Sequence, residues 1–242
     1  MVSELFTLYS FLCFLAQGEW TRTALAGVTV LLLLAPRMLE RMANRSLRLY
    51  AYVICIFYAL GSMLGHSYGF YYRFAWWDKL LHLIGGVMFA LLGFQIPALI
   101  RRTDDNNLWL CALFGLCFSM AVALLWEFFE YGMDTFFDMD MQNDTIIHSI
   151  HSYQLGTAPG VEGHIENISE VLIDGRSMGL TGYLDIGLHD TMSDTLIESL
   201  GALLAMLCTV LDKARHPILC AETEPKALDP DPRKKDAEKR PN

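Results

Sequence analysis

Apolar runs close to the length of a bilayer crossing recur along this chain, where a soluble domain would alternate apolar with polar positions. At about 20 residues per span, the runs fall near 4–18, 22–39, 49–66, 79–100, 107–129 and 193–212, the first being the weakest. A hydrophobic content of 53% would suit one soluble domain equally well. The gathering of that content into runs is what predicts an all-α, polytopic transmembrane bundle of about six helices.

Loop charge orients the spans. Arg37, Arg41, Arg45 and Arg48 lie between the second and third runs, Arg101 and Arg102 between the fourth and fifth, and Lys213 and Arg215 after the sixth. The positive-inside rule puts all of them, and with six spans both termini, in the cytoplasm. The Glu19 turn, the segment 67–77 and the long loop before the last run then face outward. The aromatic group Tyr71, Tyr72, Phe74, Trp76 and Trp77 falls where amphipathic rings anchor in the headgroup layer.

The expected organisation is helices one to five over 1–130, an extracytoplasmic loop over 131–192, the last helix over 193–215 and a cytoplasmic tail over 216–242. The stretch Tyr131 to Ser193 holds ten Asp and Glu against the single basic Arg176, and it carries most of the net charge of −9. Nucleic acid is excluded as a partner on that balance. Partial alternation on either side of Asp174-Gly175, over 164–173 and 179–186, predicts a small β-hairpin in the loop. The tail is poor in apolar residues after Leu228 and reads as disordered.

The first run, Leu5 to Ala16, lacks the basic region of a signal peptide and is followed almost at once by another run, so it reads as a retained helix. All six cysteines lie in apolar runs or in the tail, none in the acidic loop, and are expected as free thiols.

Against this apolar background, three helical stretches carry ionisable groups at their outward ends. Asp78 and His82 are four residues apart, Glu127 and Glu130 three apart, and Asp190, Asp194 and Glu198 follow at intervals of four. Such spacings place each set on one face of a helix. Ionisable groups at the edge of hydrocarbon are costly and mark functional sites by default. A shared cavity with so many like charges demands a neutraliser, either a divalent metal or shared protons. An oxygen and nitrogen donor set suits Zn, Mn or Fe. The expected ligands are Asp78, His82, Glu127, Glu130, Asp190 and Asp194, with Glu130 as general base and Asp194 as the second catalytic acid.

Neither Glu-x-x-His nor His-Glu-x-x-His occurs, so no known bundle metal motif supports the assignment. His148, His151 and His189 are available as extra nitrogen ligands, although solvated, inert histidines are the commoner outcome for a loop. Helix capping accounts for acids at helix starts. It does not account for Glu127 and Glu130, expected at the carboxyl end of their helix, where the dipole opposes an anion. Lys79 and Arg73 offer simple ion pairing as an alternative. Gly85-Gly86 and Gly201-Ala202 are small enough to let the acid-bearing helices approach closely.

Three motifs, Trp77-Asp-Lys-Leu-Leu-His82, Trp126-Glu-Phe-Phe-Glu130 and His189-Asp-Thr-Met-Ser-Asp194 followed by Leu200-Gly-Ala202, resemble those of the YjdF-like bacterial inner-membrane proteins, a family of unknown function. The likeness covers roughly 1–145 and 185–212. A fainter similarity to VanZ-like proteins rests on the Asp-Lys-x-x-His and final Asp patterns. The chain departs from the first family in a longer insertion between Met141 and Asp185, and in His189 where a tryptophan is expected. The resemblance implies a multi-pass protein of the bacterial inner membrane and supplies no activity.

The leading functional expectation is a metal-dependent hydrolase or transferase acting at the outer face on a lipid or envelope precursor, in contact with membrane lipids. The alternatives are a proton- or cation-coupled transporter using the same acids, and a non-catalytic envelope protein whose acidic loop docks a partner.

Overall fold

A computed structural model describes residues 2–43, 49–101 and 107–211. Arg45, Arg48, Arg102, Lys213, Arg215, Cys220 and the tail over 216–242 lie outside the described residues. The helices are α1 (Val2–Gln17), α2 (Trp20–Ala43), α3 (Leu49–Ser67), the single turn α4 (Phe70–Arg73), α5 (Trp77–Arg101), α6 (Leu108–Phe137) and α7 (Leu188–Leu211). Four stretches are long and apolar enough to cross a membrane: Trp20–Met38, Trp77–Ala98, Leu108–Phe137 and Leu188–Leu211. Val2–Gln17 and Tyr52–Ser67 are apolar but shorter.

Helix α5 is the centre of the bundle. It packs along α6 and α7 on one side and against α3 on the other, while α1, α2 and α3 follow one another in sequence. One apolar cluster joins Ala90, Leu91 and Phe94 of α5 to Cys111 and Ala112 of α6 and to Ala202 and Met206 of α7. A second joins Phe14, Ala26 and Met63 of the first three helices. Leu113, Leu124 and Phe128 on α6 and Leu196, Leu203 and Leu207 on α7 point away from both clusters and are exposed, as a lipid-facing surface requires.

Small residues set how closely the helices approach. A side chain at Gly86 would collide with the Glu198 carbonyl of α7, and one at Gly201 with the Leu83 carbonyl of α5. The Ser119 hydroxyl of α6 donates to the Gly86 carbonyl at 3.1 Å, so three helices meet at one buried point. On the far flank, a side chain at Gly85 would press on the Tyr58 ring of α3.

Two helix ends differ from expectation. The last turns of α6 run on to Phe137, closed by Asp138 in the left-handed region (φ 52°), and α7 begins at Leu188. Glu127 and Glu130 therefore sit inside α6, so the helix-dipole penalty argued for them from sequence does not apply. Asp190 belongs to the first turn of α7.

The segment between α6 and α7 leaves and returns at the same end of the bundle. Asp134 accepts from the Met141 and Gln142 amides at 2.6 and 2.9 Å, which fixes the exit. Asp185 accepts from the His189 amide at 2.8 Å, which fixes the return. Between them, β1 (Thr145–Ile147) pairs antiparallel with β6 (Tyr183–Asp185), and β2 (Ile150–Ser152) with β3 (Gly163–Ile165). Gly163–Ile165 and Tyr183–Asp185, from the two stretches expected to form one hairpin, thus pair with earlier strands and not with each other. At the Asp174-Gly175 turn, β4 (Leu172–Ile173) and β5 (Arg176–Ser177) form a ladder of two residue pairs.

Candidate functional site

The first turns of α5 and α7 and the late turns of α6 come together under the β1–β6 pairing, and each contributes its acids. His82, Glu127, Glu130, Asp190, Asp194 and Glu198 are buried, and Asp78 is partly so. Lys79 sits among them. Its ammonium lies 2.5 Å from Asp190 Oδ1, 2.7 Å from Asp194 Oδ1 and 3.4 Å from Asp78 Oδ2. The sequence offered Lys79 only as an alternative ion pair, yet it joins α5 to α7 at the mouth of the site. Arg73 is exposed.

The histidine faces the other side of the same carboxylates. His82 Nε2 is 3.7 Å from Asp78 Oδ1 and 3.8 Å from Asp194 Oδ2, and His82 Nδ1 is 3.5 Å from Glu198 Oε2. The Nε2 distances exceed hydrogen-bond length. They are close to the separation of about 3.4 Å that ligand atoms adopt around a tetrahedral ion at about 2.1 Å. One ligand atom from each of Asp78, His82 and Asp194 lies within 4.8 Å of the other two.

The remaining acids divide by how well they are satisfied. Asp190 is saturated, because besides Lys79 its Oδ2 accepts from the Asn143 backbone amide at 2.9 Å and from the Asn143 side chain at 3.3 Å. Glu130 accepts from the Trp126 indole at 2.8 Å. By contrast, both oxygens of Glu127, both of Asp194 and Oε1 of Glu198 are buried without a hydrogen-bond partner among the described residues. Asp194 is 1% exposed and Glu127 3%. The Lys79 ammonium is near enough to Asp194 to pair by charge, but not aligned to donate to it. Buried acceptors left without donors are costly, and these all want a cation or a proton.

Charge counting leads to the same conclusion. Five buried carboxyls, with Asp78 as a sixth at the rim, face one ammonium and one imidazole. Beside this pocket, α4 and the first residue of α5 lay aromatic rings against glycines of α3. The Trp77 indole donates to the Gly61 carbonyl at 3.2 Å, and the Tyr71 ring lies on Gly65. Burial, together with the nearby Asp78 and Glu130 carboxylates, pushes the Tyr71 phenol well above its usual range. Trp77 and Tyr71 therefore face inward, while Tyr72, Phe74 and Trp76 are exposed.

Not every residue picked out from sequence reaches the site. His148 Nδ1 lies 3.0 Å from the Ile168 carbonyl, which ties it to the outer segment. His151 and His164 stack across β2 and β3 with centroids 5.7 Å apart, and the His189 side chain is exposed. The structure thus groups Asp78, His82 and Asp194, sets Glu127 and Glu130 on the facing helix, and binds Asp190 to Lys79 and Asn143. Glu198, seen from sequence as the third acid on α7 but given no ligand role, proves to be the partner of His82. Its signal was the interval of four that continues from Asp194.

A family model described as a predicted membrane protein family (DUF2238) matches residues 1–215. No curated protein and no solved structure matches the chain.

Proposed function

The chain belongs to the DUF2238 family of predicted membrane proteins, and from that premise we propose that it binds a divalent cation through Asp78, His82 and Asp194 and uses it on a lipid or envelope precursor. The observation carrying this reading is the convergence of those three donors beside buried carboxylate oxygens that have no hydrogen-bond donor among the described residues. A bound ion polarises water or a substrate oxygen, and hydrolysis or group transfer follows from that chemistry. The base is drawn from the α6 pair. Glu127, with both oxygens free, is better suited to take a proton from water than Glu130, whose Oε1 is occupied by Trp126.

In this reading the protein is a six-span resident of a bacterial inner membrane with both termini cytoplasmic, and the site opens outward at headgroup depth. The three motifs of the YjdF-like resemblance are the ones that line the pocket. A conduit is less well supported, because the seam below Glu198 is filled by Ala90, Leu91, Phe94, Ala202 and Met206. A purely structural ion-pair network is also less well supported, since neither oxygen of Glu127 has a hydrogen-bond donor among the described residues.

The test is metal analysis of detergent-purified protein expressed under Zn, Mn and Fe supply, with Asp194→Asn and His82→Gln alongside. About one equivalent in wild type and little in either variant is expected. Metal-free wild type under replete supply removes the reading.

A further inference from the structure

Glu198 stands one turn deeper on α7 than Asp194 and is 4% exposed. Its backbone is pinned where α7 crosses α5, since its carbonyl occupies the space that a side chain at Gly86 would fill. From that fixed point Oε2 reaches to 3.5 Å from His82 Nδ1, while Nε2 of the same ring faces Asp78 and Asp194. An imidazole has one donor and one acceptor nitrogen when neutral, and a carboxylate beside Nδ1 holds the proton there. The lone pair is then on Nε2, directed at the two aspartates. Carboxylate–histidine–metal triads use this arrangement to orient the ring and to raise its basicity.

We infer that Glu198 is the positioning residue of the metal site, setting the tautomer and orientation of His82 so that Nε2, with Asp78 and Asp194, receives the ion. This rests on the metal reading above and adds a residue that does not touch the ion. A merely structural role is the rival account. It would require Glu198 to be tied to the bundle by hydrogen bonds, yet Oε1 is buried without any partner. The carboxylate is held in a costly place by backbone packing, and among the described residues its ion-pair partner is His82.

The experiment uses the full chain in detergent, stripped with chelator and titrated with Zn2+ and, for its visible spectrum, Co2+. Wild type, Glu198→Gln, Glu198→Asp and His82→Gln are compared, and metal-free melting temperature is read for each. Glu198→Gln is expected to weaken Zn2+ binding by about tenfold to a hundredfold and to shift the Co2+ bands, with metal-free melting close to wild type. Glu198→Asp, which keeps the charge, should recover part of the affinity. If Glu198→Gln binds as tightly as wild type while His82→Gln does not, the positioning role is overturned and the metal site stands. If Glu198→Gln and Glu198→Asp lose affinity only in step with lost melting temperature, the role is structural and the inference fails. Wild type that takes up neither ion overturns the metal reading itself.

Discussion

Replacing Lys79 by methionine removes the only ammonium held by the acidic pocket among the described residues while keeping the length and apolar stem of the side chain. It leaves Asp190 Oδ1 and Asp194 Oδ1 without the cation that stood 2.5 and 2.7 Å away, and both carboxylates are buried. Deleting one partner of a buried pair costs about 3–5 kcal/mol. The ammonium side is 29% exposed, so water screens part of the interaction and the lower portion of that range applies. A loss of about 3–4 kcal/mol is therefore expected, which for a chain of this size lowers the melting temperature by roughly 6–16 °C. The assay is thermal unfolding in detergent with chelator present, followed by tryptophan fluorescence. Adding Asp190→Asn removes one orphaned charge, so the double variant should melt above Lys79→Met alone. A single variant melting within 2 °C or so of wild type, or a double variant that loses the sum of both single losses, would refute the pairing argument. Added divalent metal should stabilise Lys79→Met at least as much as wild type, because an ion takes up the same carboxylate charge.

Gly86→Ala should lower stability by about 1–3 kcal/mol through overpacking and weaken metal uptake with it, since the added methyl meets the Glu198 carbonyl; metal titration against melting temperature checks this. Asp134→Ala should free the Met141 and Gln142 amides and speed protease cleavage between 138 and 187 several-fold without altering the helices, as read by limited proteolysis and circular dichroism. Burial and the neighbouring Asp140, Asp185 and Asp134 push the Asp144 carboxyl above its usual range. The folded segment then binds more protons than the unfolded one across that acidic window, so its stability falls as pH rises through it. Proteolysis of the segment should slow as pH is lowered toward that range, and Asp144→Asn should flatten the dependence.

How far the sequence could be read is clearest at particular residues. Apolar length located α5 to within two residues, because burying a bilayer-long run in hydrocarbon leaves few alternatives. The end of α6 was missed by eight residues, since a helix has no reason to stop where hydrocarbon stops; hydrogen bonds carry it to Phe137 and Asp138 turns it. Alternation marked β3 and β6 as extended, but period two carries no information about partners, and both paired with strands earlier in the segment. Helical spacing placed Asp78 with His82 and Asp194 with Glu198, which the structure brings together. It could not assign Lys79, which is one position from Asp78 and off the shared face. A four-carbon stem lets the ammonium swing back into the pocket, and spacing rules do not follow flexible side chains.

The pairing of Thr145 with Asp185 has a further bearing on how such a chain can change over time. Because those two positions are clasped side by side, the ends of whatever is threaded between them are already held together. Lengthening a flexible stretch costs little closure entropy, about 0.6 kcal/mol for each doubling. The region from 146 to 182 can thus grow or shrink at small cost in closure entropy while Glu127 and Asp190 keep their places.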